Sequence, residues 1–122
     1  MLGNQEAFEI ITAHLRKQKT QAVNLQGKCI YLNSSGAMCA VGCLIQGIEL
    51  TPDQNQSSVR DLYIDNLAVQ ALFKEVDLDL LEEMQTLHDN AGYYDRTGFT
   101  VSGERKLNQI ATGYHLNVPE RP

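Results

Sequence analysis

Apolar residues recur along this chain at the three- and four-residue intervals of helices that bury one face. Phe8, Ile11 and Leu15 predict a first helix from about Gln5 to Lys19, with Asn4 placed to cap its free N–H groups. Leu80, Leu81, Met84 and Leu87 form the clearest stripe, inside "VDLDLLEEMQTLHDNAG"; Asp77 or Asp79 sits at its positive end and Gly92 stops it. Shorter helices are expected from about Val59 to Tyr63, Leu67 to Phe73 and Glu104 to Thr112, the last ending at Gly113. "LQGKCIYL" (25–32) instead reads as a short strand, with the β-favouring Ile30 and Tyr31 near its centre, followed by the turn residues "NSSG" (33–36). Thr51, Pro52 and Gln54 resemble a helix start, but "DQNQSS" has no apolar face, which predicts a loop with at most one turn. "YYDRTGFTVSG" is a polar and aromatic loop suited to a small hairpin, and the tail "YHLNVPERP" offers Leu116 and Val118 to the core. The expected fold class is α+β: a mainly helical single domain over 1–122, with a small β element packed on a buried central helix.

That central helix is the run from Met38 to Gln46, in "GAMCAVGCLIQG", which carries no charge from Gly36 to Gln46 and has Gly47 as its C-terminal cap. Three roles compete for its sulfurs. Met38, Ala40, Val41, Leu44 and Ile45 cover nearly every direction of a helical wheel, and a helix apolar all round is buried. Cys39 and Cys43 would then be small hydrophobes, with Gly42 letting another element pack close. A zinc site would need Cys39 and Cys43 on one helix face, Cys29 from the preceding strand and His88 as fourth ligand. A compact Cys-x2-Cys knuckle is missing, however, and so much apolar sequence does not need a metal to fold. A nucleophile would need the Cys39 thiol at a helix start, with His88 as base and Asp89 to orient it. With Leu81 at zero, His88 falls near about 340° on a 3.6-residue helix, at the inward edge of the buried stripe. Packing is the leading expectation, no cofactor is called for, and zinc and the Cys39–His88–Asp89 set stay open behind it.

Composition narrows the function classes. At 122 residues, 43% hydrophobic and 20% charged, the chain has ordinary globular usage. The apolar runs fall far short of the ~20 residues that span a membrane. "MLGNQEAFEII" has no basic region followed by an apolar one, and three cysteines do not make a disulfide framework, so a cytoplasmic home with reduced thiols is expected. The net charge is −5. Specific nucleic-acid binding, which rests on basic patches, is disfavoured; the one basic cluster, "HLRKQK" (14–19), complements the end of the first helix. "GAMCAVG" lacks the Lys-Ser/Thr pair of a phosphate loop. An acidic surface does suit a basic protein partner steered by charge.

As a set, "GKCIYLNSSGAMCAVGCLI" (27–45), "LHDNA" (87–91) and "GYHLNVPE" (113–120) resemble a group of short proteins encoded by tailed bacteriophages and prophages. Those chains share a G-x-C-x-Y strand, C-A-[VI]-G-x-L-I, a helix ending in L-x-x-x-H-D and a closing Y-x-L-x-V-P. The resemblance implies a phage or prophage origin and a small intracellular protein, and carries no activity. Cys29, Cys39, His88 and Asp89 match its motifs, while Cys43 stands where such chains vary. The function expected first is therefore binding of a protein partner, as a host-modulating or anti-defence inhibitor. Tyr93, Tyr94 and Phe99 are candidate interface anchors, unless their rings pack beneath their own loop. The rival is a small cysteine-dependent hydrolase or transferase using Cys39, His88 and Asp89.

Overall fold

Residues 2–19, 30–33 and 36–120 are described by a computed structural model of the chain. In chain order they form α1 (Asn4–Gln18), a 3-10 turn (Gly42–Leu44), a second 3-10 turn (Gln54–Gln56), α2 (Val59–Asp65), α3 (Leu67–Leu72), α4 (Leu78–Asp89), β1 (Tyr94–Asp95), β2 (Gly98–Phe99) and α5 (Val101–Gly113). The expected α+β class holds: the described residues contain five α-helices and one two-stranded antiparallel hairpin, with Tyr94 paired to Phe99 and Asp95 to Gly98. Of the expected strand 25–32, residues 25–29 lie outside the described residues; within the rest, Leu32 makes one antiparallel bridge to Met38.

Four of the five α-helices among the described residues start where a side chain can take up their unpaired N–H groups. Ser58 accepts from the Asp61 N–H, Asn66 from those of Ala68 and Val69, Asp77 from that of Asp79, and Thr100 from that of Gly103. Asn4 departs from expectation. Gly3 occupies the cap position of α1 without a side-chain bond, and the Asn4 Oδ1 instead accepts the N–H of Asp77 at 2.7 Å. It thus fastens the start of α1 to the start of α4. Thr51 to Gln56 is a loop with one 3-10 turn, as its polar sequence requires.

A single apolar cluster lies between these elements. Phe8, Ile11 and Leu15 of α1, Leu62 of α2, Val69 of α3, Leu80, Leu81, Met84 and Leu87 of α4, and Leu107 and Ile110 of α5 all point into it. α4 packs on α1, α2 and α5, so its stripe is the shared wall. Leu116 and Val118 of the tail are half-buried against the same cluster.

The buried centre is where the sequence expectation needs correcting. Cys39, Ala40 and Val41 are fully buried and Cys43 nearly so, yet 38–46 is not an α-helix: it is an arm, a bend and one 3-10 turn. The cause is a non-local hydrogen bond. The Cys39 N–H donates to the Tyr31 carbonyl at 3.1 Å, so the chain around Met38 is held beside residues 31–32 and cannot begin a helix. The Met38 N–H and carbonyl are both held by the Gln18 amide, at 2.8 and 2.7 Å, and the carbonyl also accepts from His14 Nε2 at 2.9 Å. Gly42 lets the arms close up. A Cβ there would lie 2.1 Å from the Tyr31 carbonyl oxygen, inside any allowed contact.

Candidate functional site

The residues nominated for chemistry converge on the last two turns of α4. His88 is wholly buried, and its Nδ1 lies 2.6 Å from Asp89 Oδ1. A carboxylate only accepts, so Nδ1 carries the proton and donates it. The imidazole packs beside the Tyr94 ring with centroids 5.4 Å apart, and Tyr94 meets Phe99 edge-on at the same distance. The Tyr94 hydroxyl donates to the Leu15 carbonyl at 2.6 Å, fastening the hairpin to α1. Tyr94 is therefore a core residue and not an exposed interface anchor; Tyr93 and Phe99 are half-buried. The Tyr94 and Phe99 rings thus pack on one another.

Cys39 belongs to a neighbouring arm, which Gln85 links to this pair. Gln85 Oε1 accepts the Val41 N–H at 3.2 Å, and its Nε2 donates to Asp89 Oδ1 at 3.0 Å. The Cys39 sulfur accepts the Gly42 N–H at 3.2 Å and, among the described residues, makes no hydrogen bond to His88. Burial, first, and the negative charge of Asp89 push the Cys39 thiol up from 9.0 to about 12. A nucleophile needs the opposite shift. Cys43 is pushed up to about 12 by burial as well, and its thiol donates to the Ala40 carbonyl at 3.1 Å. Both sulfurs are thus held as hydrogen-bonded thiols.

Outside this network lies a polar notch of about 280 Å³, walled by Tyr31, Ser58, Glu82, Gln85 and Asp89. Gln85 and Asp89 line the notch, and Gln85 ties Asp89 to the backbone of Val41, two residues after the buried Cys39. Tyr31, whose hydroxyl donates to the Ser57 carbonyl at 2.7 Å, closes another side. Gln85 is the residue the motif reading missed. Its signal was present as a Gln–Asp pair four residues apart on one helix face.

Cys29, the third candidate sulfur ligand, lies outside the described residues. Among the described residues, no three His, Cys, Asp or Glu side chains gather as a metal-holding group. Nor, among them, is any helix long and apolar enough to cross a membrane.

A second depression, a groove of about 550 Å³, runs between Tyr31, Leu32, Gly36 and Met38 on one side and the segment from Ile45 to Leu50 on the other. Its walls are mainly apolar, with Leu32 52% exposed at the rim. No family model matches the chain, and neither a curated protein nor a solved structure does.

Proposed function

We propose that this chain acts by binding a protein partner, in the manner of a host-modulating or anti-defence protein of the phage group its motifs resemble. The observation that carries the reading is the state of the sulfurs: Cys39 is fully buried, hydrogen-bonded to Gly42 and held as a thiol. The residue set with the strongest claim to covalent chemistry is then part of the packing. What the surface offers is an apolar groove and an excess of carboxylates, 15 against 10 basic residues. An acidic protein of this size attracts basic partners over about a Debye length and gains association rate from that attraction. A cytoplasmic setting suits it, because thiols there stay reduced.

Affinity capture from bacterial lysate, followed by reconstitution with the purified candidate, tests the reading. One partner should be recovered reproducibly, bind with a defined stoichiometry, and associate more slowly as salt rises. Failure to recover any partner at low or high salt would refute it. A second reading, a cysteine-dependent hydrolase or transferase, draws on one observation: the 2.6 Å His88–Asp89 contact is the kind that orients a catalytic base. It requires Cys39 to reach solvent and to alkylate faster than an ordinary thiol.

A further inference from the structure

The groove that Tyr31, Leu32 and Met38 form with segment 45–50 has two features that together specify an occupant. The first is its apolar lining, contributed by Leu32, Met38, Ile45, Ile48 and Leu50. The second is the backbone along one wall. From Ile48 to Leu50 the chain belongs to neither helix nor strand, and the N–H groups of Glu49 and Leu50 find no acceptor among the described residues. The carbonyls of Ile48 and Leu50 likewise receive no donor there. The Glu49 carbonyl is the exception, taken by Asn66 Nδ2 at 3.4 Å. The facing wall differs: Asn55 pairs with both the N–H and the carbonyl of Leu32, at 3.1 and 3.0 Å, and closes that edge. One wall is thus satisfied and the other presents unpaired backbone beside apolar side chains, which is how sheet edges receive an added strand.

We infer that this groove binds an extended segment of a partner protein, with alternating apolar residues and a flanking Lys or Arg. The basic residue is argued from charge. Glu49 is the only charged residue among the described ones lining the groove, and it is exposed at the wall where the backbone is unpaired. A basic side chain there would complete a pair at the rim, while the apolar side chains of the segment replace water against Ile48 and Leu50. The net charge of −5 brings such a segment in and repels acidic ones. This rests on the protein-binding reading above and adds to it a site and a class of ligand.

The probe is a library of random dodecapeptides selected on the whole chain, with the Leu32→Asp and Glu49→Lys variants as counter-targets. Leu32 is exposed and Glu49 solvated, so both variants should keep the wild-type urea midpoint. Selected peptides should share alternating apolar residues beside Lys or Arg. A synthetic copy should bind about tenfold more weakly to Leu32→Asp and several-fold more weakly to Glu49→Lys. In its complex, the amides of Glu49 and Leu50 should become protected from hydrogen exchange. Selection of acidic peptides, equal binding to Leu32→Asp, or no enrichment would each overturn the assignment. So would a dimer of the free chain that Leu32→Asp dissolves, because the groove would then hold a second copy. If a partner captured from lysate binds Leu32→Asp as well as wild type, the groove is wrong and the protein-binding reading stands; if no partner exists, the reading itself has failed.

Discussion

Replacing Gly42 by alanine adds one methyl at the tightest point of the buried centre. Its Cβ would sit 2.1 Å from the Tyr31 carbonyl oxygen and 2.9 Å from the carbonyl carbon. Those are backbone atoms, so no rotamer change relieves the contact; one of the two arms must move by about an ångström to reach ordinary contact distance. Overpacking of that kind costs about 1–3 kcal/mol. The same movement strains the 3.1 Å bond from the Cys39 N–H to that carbonyl, in a place where water cannot substitute. Leaving such a pair unmade costs about 1–3 kcal/mol more. Alanine stiffens the unfolded chain and returns about 0.4–1 kcal/mol. The net loss is about 1–5 kcal/mol, centred on ~3. With a urea m-value of about 2 kcal/mol/M for a small domain, that central value lowers the midpoint by about 1.5 M. Gly113→Ala is the control: it ends α5 with nothing within 4 Å of the added Cβ, and should be neutral or stabilising. A Gly42→Ala protein within ~0.5 kcal/mol of wild type would show that the arms do not meet as described.

Other consequences are as direct. Thr12 is fully buried in α1 and its hydroxyl has no hydrogen-bond partner among the described residues, so Thr12→Val should raise stability by ~1 kcal/mol and the thermal midpoint by a few degrees; a fall would mean that the hydroxyl is bonded. Gln85→Leu removes the acceptor of the Val41 N–H and a donor to Asp89, and should cost about 1–3 kcal/mol in urea unfolding; no loss would contradict the link between the arm and α4. Alkaline pH should unfold the protein through its sulfurs. Cys39 and Cys43 are raised from 9.0 to about 12 when folded, so above about pH 9 the unfolded chain releases protons that the folded one keeps. Their stabilisation is complete below that pH and lost as pH climbs toward 12, by roughly 3 kcal/mol for the pair at about pH 10. A urea midpoint that does not fall between about pH 8 and 10 would contradict the buried, neutral thiols.

What could be read from the sequence, and what could not, divides by the range of the interactions involved. α4 was legible because its stripe and its Asp77 cap lie within one stretch of chain. The hairpin at 94–99 was legible because a polar turn between aromatics is also a local signal. The start of α5 was expected three residues late. Ser102 and Gly103 look like loop residues, yet Gly103 packs so closely on Tyr93 that a Cβ would lie 1.9 Å from its carbonyl oxygen, which only the folded partner reveals. The same holds for 38–46, where apolar periodicity suggested a helix and a bond from Cys39 to Tyr31 set the shape instead. At the site, the burial of Cys39 followed from its apolar neighbours. The link that Gln85 makes between Val41 and Asp89 did not, because it depends on how α4 rotates against an arm some forty residues away in sequence.

Thiol alkylation of the native protein, with fragmentation mass spectrometry to place each label, tests the central claim most directly. A thiol with pKa about 12 carries about a thousandth of the thiolate of an ordinary one at neutral pH. Cys39 and Cys43 should therefore react with iodoacetamide only as fast as the protein opens, at matching rates that rise together with urea. Rapid modification of Cys39 in the folded protein, ahead of Cys43 and independent of urea, would contradict the account and place a reactive thiol at the protein's centre.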